Sequence, residues 1–453
     1  SLIPKLSMEA AMSHFHSLSK LLGPDKNHAG ITSNEHRQII SSAISAICGR
    51  DLSCPELKQV AKAVADMNAA STSYVDEHDF ERKLPVLNGL SANSAGGSWL
   101  ALSMVNTEKL QHTCKLPKTF GGTRMLLPFI YTCFHLLYDS DGVISRASNK
   151  ALKCLVTTSS ELALSNTNQT EDVHRHPWVK LIETTVVPSL KTGIMTKEIA
   201  PRRNFVLLIS QVVRHFSNCN SVHLYGDLKC LIRDDDQDLD FFLNTTHVQL
   251  HRRARALSRL RRLLFDHGKL TDQSPLFSDQ SLGNILLPLA MHPVYEYKSK
   301  AEDAYVIEAI AAVGEISKHL PWSKYNNTLQ SVLNNFGRYP EQERFLIAMI
   351  CTIIDAFHFS VNTGEGTHDE ASLQGNGVWR SLKNRIIPKV ESFLIKEKVD
   401  THGAKNKSLR SSVALALMKL FQKFPQVTFE SKLRKLITIV CNALKNKDSN
   451  ERD

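Results

Sequence analysis

Between Gln249 and Asp266 the chain carries six arginines and no acidic residue. Arg252, Arg255, Arg259 and Arg262 follow one another at steps of three, four and three, which sets them along one face of a helix. Arg253 and Arg261 flank that row. A guanidinium is planar, permanently charged and able to fork onto two oxygens, so a row at this spacing suits a sugar–phosphate backbone. The same row could instead pair with the acidic run before it, Asp234, Asp235, Asp236, Asp238 and Asp240, and the sequence leaves both readings open.

The element that must position these arginines is a helix from His247 to Phe265, within a helical run predicted from Asp240 onward. Its buried stripe is Leu250, Ala254, Leu257, Leu260 and Leu264, spaced by four, three, three and four. The acidic run resembles an oxygen cage for a hard cation but fails in detail. A calcium loop starting at Asp234 needs Gly at its sixth place and Glu at its twelfth, where Leu239 and Thr245 stand. A solvated loop ending with Asp240 as a helix cap fits better. A second basic patch lies near the end, with Lys432, Arg434, Lys435, Lys445 and Lys447.

The formal charge is +10, and it is not spread evenly. Residues 245–269 carry +6 and residues 405–453 carry +7, so the rest of the chain is slightly acidic. Basicity gathered in two places points to an anionic partner.

Other chemistry is hard to assemble. There is no GxxxxGK[ST] or GxGxxG cradle. The pairs His14/His16 and His174/His176 have no cysteine or HExxH companion. The nine cysteines show no CxxC pair, so reduced thiols are expected, and Cys133, Cys154 and Cys351 sit in apolar helical runs as small hydrophobes. The LxxLL strings at Leu18–Leu22 and Leu260–Leu264 read as buried helix faces. The longest apolar stretch, Phe345–Phe357, is too short to cross a bilayer and predicts a soluble chain. We therefore expect no catalytic centre, no cofactor, no metal, no small-molecule substrate and no membrane contact.

Apolar spacing of three and four recurs along all 453 residues, while strand-like alternation is scarce, so the expected class is all-α. Two recurring features suggest an irregular HEAT-like solenoid of antiparallel helix pairs. One is an apolar-apolar-Pro step at Leu126-Leu127-Pro128, Val186-Val187-Pro188, Leu286-Leu287-Pro288 and Ile386-Ile387-Pro388. Proline there fits a helix start or a kink between two helical pieces. The other is a set of helices with small residues inside, beginning near Ser145, Phe205, Leu250, Val306, Phe345 and Leu409. Long Gly/Ser/Asn/Thr-rich connectors crowd the first third. This predicts an N-terminal helical segment over 1–160 and a repeat array over 161–453.

The string from Asp238-Leu239-Asp240-Phe241-Phe242 through HVQLHRRARALSRL resembles a signature of the large HEAT-repeat scaffold of the small-subunit processome, the down-regulated-in-metastasis or U3 small nucleolar RNA-associated protein 20 family. The likeness continues through NILLPLAMHPVY, ISKHLPWSKY, DAFHF, IIPKVESFLIKE and KLRKLITIVCNALKN. It implies an internal stretch of a much longer nucleolar protein. Such a protein would act without enzymatic activity as a scaffold in pre-ribosomal RNA processing, with pre-ribosomal RNA or small nucleolar RNA and other processome proteins as partners. A HEAT-repeat adaptor, such as a transport receptor or phosphatase scaffold, is the competing reading. Carriers of that kind usually present acidic inner faces, against which the two basic clusters argue.

Overall fold

The computed structural model describes residues 8–24, 34–48, 55–68, 78–91, 99, 122–165, 176–219, 221–269, 274–336, 338–361, 377–395, 405–423, 430, 434, 437 and 438. Among these, every regular element is a helix and none is a strand. The chain forms two compact units, Ser1–Lys229 and Cys230–Asp453. The division does not fall near residue 160 as the connectors suggest. Residue 160 lies inside one unbroken helix, Gly142–Ser165, whose packing ties the residues on either side of it together.

The first unit contains α1 (Met8–Leu21), α2 (Asn34–Cys48), α3 (Pro55–Met67), α4 (His78–Leu90), α5 (Leu127–Leu136) and α6 (Gly142–Ser165), with α7 running from Pro177 to Ile194 and α8 from Ile199 to Phe216. α1 to α4 pack in succession, as do α5 to α8; α5 packs back on α1 and α3, and α6 also meets α4 and α8. Three-four spacing drives this: α8 buries Phe205, Val206, Leu208, Ile209, Val212, Val213 and Phe216 on one side. Where α7 crosses α8 the approach is tight. A Cβ added at Gly193 would lie 2.1 Å from Cδ1 of Phe205. Deep in the unit Arg37 donates from Nη1 to the Leu22 carbonyl at 2.6 Å and from Nη2 to Asn68 Oδ1 at 2.7 Å. Burial lowers its pKa to about 10. Burial, together with the charges of Arg37 and Lys83, pushes His135 down to about 3.

The second unit repeats one theme. It contains α9 (Phe241–Thr245), α10 (Leu250–Gly268), α11 (from Asp279 to Tyr295), α12 (Asp303–Ser317), α13 (Trp322–Asn335), α14 (Glu343–Asp355), α15 (377–395) and α16 (Lys405–Phe421). Each of α11, α13 and α15 packs against the helix that follows it, while α10, α12, α14 and α16 stack in succession. Contacts advance together along both partners at every junction. Arg261 faces Glu308 while Gly268 faces His319, and Asp303 meets Arg344 while Gly314 meets Thr352. Likewise Cys351 faces Ser412 and Asp355 meets Lys419. The stacked second helices are therefore parallel, the geometry of a HEAT-like solenoid built from antiparallel pairs. They are the helices that the small-residue pattern singled out. At Gly314 the reason for small residues is direct, since a Cβ there would come within 2.3 Å of Thr352 Cγ2.

The proline steps mark the first helix of a pair. Pro128 sits at the start of α5, immediately after a 3-10 turn at Gly122–Leu126. At the other three steps the helix continues through the proline by way of a π turn, at Ile182–Val186 in α7, Leu282–Leu286 in α11 and Leu382–Ile386 in α15. In each, the amide just before the proline reaches back five residues, Val187 to Ile182, Leu287 to Leu282 and Ile387 to Leu382. Proline has no donor, and its ring crowds the carbonyl four residues back, so a widened turn accommodates it without ending the helix.

Candidate nucleic-acid interface

The Asp-Phe-Phe step builds the platform on which α10 rests. Asp240 is fully buried and caps α9, its Oδ1 accepting the Leu243 amide at 2.8 Å. Phe241 and Phe242 are buried edge to face with centroids 5.4 Å apart. Asn244 donates to the carbonyls of Gln237, at 2.8 Å, and Asp240, at 2.6 Å. The predicted run from Asp240 to Phe265 is not one helix, because the chain leaves helical form between Thr245 and Leu250. The hydroxyls of Thr245 and Thr246 turn back onto the carbonyls of Phe241, Phe242 and Leu243, satisfying acceptors that a continuing helix would use.

α10 then buries Ala256, Leu257, Leu260 and Leu264. The predicted stripe shifts slightly, with Leu250 and Ala254 half-buried rather than buried. The arginine row does not act as one face. Arg252 pairs with the Asp238 carboxylate, and its Nη1 lies 3.0 Å from His247 Nε2. Arg253 donates to the His247 carbonyl, and Arg259 to the backbone carbonyl of Asp238. Arg261 turns to the stack, its Nε 3.6 Å from Glu308 Oε2 on α12. Arg255 and Arg262 are exposed and meet no acid or acceptor among the described residues. At about 100° per residue they project roughly 160° away from the buried Leu257 and Leu264.

The acidic run thus engages only part of the row. Asp238 draws in Arg252 and Arg259, whereas Arg255 and Arg262 are left as two unpaired guanidiniums about 10 Å apart along the axis, from seven residues at the helical rise. Of the second basic patch only Arg434 is described, and it is exposed. Lys432, Lys435, Lys445 and Lys447 lie outside the described residues. So do His174 and the connector 362–376. No cluster of three or more metal-ligating side chains occurs among the described residues, and no described helix is long and apolar enough to cross a membrane.

Two family models match the chain. U3 small nucleolar RNA-associated protein 20, N-terminal, matches residues 1–198, and the U3 small nucleolar RNA-associated protein 20 domain matches residues 400–453. The chain belongs to the U3 small nucleolar RNA-associated protein 20 family. U3 small nucleolar RNA-associated protein 20 of Saccharomyces cerevisiae is 21% identical over 411 residues, covering 88% of this chain and 14% of its own. The protein of the same name from Schizosaccharomyces pombe is 20% identical over 409 residues, covering 86% and 14%. This chain therefore spans about one seventh of the curated relatives it matches. The family likeness is not confined to the stretch from Asp238 onward, where the quoted strings lie, since the first model covers the opening 198 residues. An engineered protein of known structure aligns over 97% of this chain at 12% identity with a TM-score of 0.22, too low to speak for its fold.

Proposed function

We propose that this chain is a non-catalytic length of scaffold in the small-subunit processome, acting in the nucleolus to hold pre-ribosomal RNA or small nucleolar RNA alongside other processome proteins. The observation that carries the RNA part is the outer face of α10. There Arg255 and Arg262 stand unpaired while Arg252, Arg259 and Arg261 on the same helix are tied to neighbours. A cation that forms no ion pair among the described residues is available for phosphate. Parallel stacked second helices expose successive helix edges, a surface suited to extended partners. The strongly shifted groups fit a scaffold too. Cys133, raised to about 12, and His135, lowered to about 3, are shifted first by burial in helix packing.

The test is cross-linking of the tagged chain in nucleolar extract. Pre-ribosomal or small nucleolar RNA joined near α10, with processome proteins elsewhere, is the expected result. Recovery of protein cargo without RNA would instead favour the adaptor reading.

A further inference from the structure

The exposed side of α10 continues beyond the two free arginines. At the same steps of three and four, Ser258 lies between Arg255 and Arg262, and Phe265 and Lys269 lie beyond them. Phe265 is 47% exposed, an unusual setting for a phenyl ring on a helix that has four buried positions available. Lys269 Nζ stands 4.1 Å from the centroid of the Phe265 ring and 4.0 Å from Asp266 Oδ1. The stripe thus sets an open aromatic ring one turn beyond Arg262, with a further cation over it.

We propose that α10 takes an unpaired RNA strand rather than a duplex. Phe265 stacks against one base, while Arg255 and Arg262 hold phosphates of the same strand. This rests on the phosphate reading of the two arginines given above and adds the class of RNA. The chemistry separates the two forms. Phosphates are offered by both, but a base face is free to lie on a ring only where the strand is unstacked. A protein partner would meet two desolvated guanidiniums here and would need acids to match them, whereas RNA supplies the charge and the aromatic face together. Ser258, half-exposed between Arg255 and Arg262, adds a hydroxyl donor to the same edge.

The experiment uses the 453-residue chain with a labelled 12-nucleotide oligouridylate, whose bases are unstacked, and a 12-base-pair RNA duplex, each titrated across salt. Phe265→Leu is expected to weaken the single strand by about tenfold, the size of one base–aromatic stack, and to leave duplex affinity and the salt slope alone. Arg255→Gln with Arg262→Gln should weaken both RNAs and flatten both slopes. If the arginine variant behaves so while Phe265→Leu changes nothing, the phosphate reading stands and the stacking proposal is overturned. If the wild-type chain binds the duplex at least as tightly as the single strand, the proposal is likewise overturned. Binding of neither RNA at low salt would remove the phosphate reading itself. Circular dichroism of each variant confirms that helicity is retained, which a solvent-facing Phe265 predicts.

Discussion

Asp238 and Arg252 form an ion pair that closes the short α9 turn back onto α10. The pair is partly exposed, with 27% of the Arg252 side chain and 60% of that of Asp238 open to solvent, so it orients more than it stabilises. Changing Asp238→Asn or Arg252→Gln should each lower stability by no more than about 1 kcal/mol. The double change should cost less than the two single changes together, because they remove one interaction. Thermal melts of the four proteins measure this, and strict additivity would mean that the pair does not exist in solution.

The two outward arginines behave differently. Arg255→Gln with Arg262→Gln should leave the melting temperature in place and reduce the slope of log affinity against log salt by about 1.4 on single-stranded RNA, from two phosphate contacts at about 0.7 each. The same change at Arg252 and Arg259 should move stability and leave the slope nearly unaltered. An identical slope loss in both double variants would show that the row acts as one face after all.

His135 makes the first unit sensitive to acid. Its folded pKa is about 3, depressed by burial and by Arg37 and Lys83, against about 6.5 when unfolded. The unfolded chain therefore binds the extra proton between these values. Stability from keeping the ring neutral is complete above pH 6.5 and is lost as pH falls toward 3, at no more than about 1.4 kcal/mol per pH unit. Chemical denaturation at pH 7 and pH 5 should show a smaller loss in His135→Asn than in the wild type. An equal loss in both would assign the acid sensitivity elsewhere.

Gly193→Ala should destabilise the first unit despite alanine's better helix propensity. The new methyl would fall 2.1 Å from the Phe205 ring, which itself packs against Phe134 with centroids 6.0 Å apart and so has little room to retreat. Overpacking of this kind costs about 1–3 kcal/mol, more than the roughly 1 kcal/mol that alanine gains over glycine. A melting temperature at or above that of the wild type would contradict the close approach of α7 and α8.

Helix type was readable because burial on one side imposes three-four spacing whatever the neighbours are, as in α8 and α10. The second helices of the pairs were readable from their small residues, because close parallel stacking forbids bulk at positions such as Gly314. The break after Thr245 was not, since Thr is ordinary within a helix and only its actual hydroxyl bonds show it turning the chain. The split of the arginine row depended on where Asp238 comes to lie, a tertiary fact that spacing along α10 does not contain. In the sequence Phe265 marks only the end of a helix. Its place on the outward stripe appears only when the row is extended past Arg262 and its exposure is known.

Each π turn holds one residue more than a regular helix needs over the same length. Deleting Thr184, which is exposed within Ile182–Val186, would regularise α7 but force Pro188 against a carbonyl with no room for its ring. Replacing Pro188 alone would leave a bulge with nothing to accommodate. The two changes made together should restore a straight helix that keeps Val186 and Leu190 buried. Loss of the extra residue and loss of the proline are thus compensating lesions, and the same epistasis is expected a hundred residues later around Pro288 and again around Pro388.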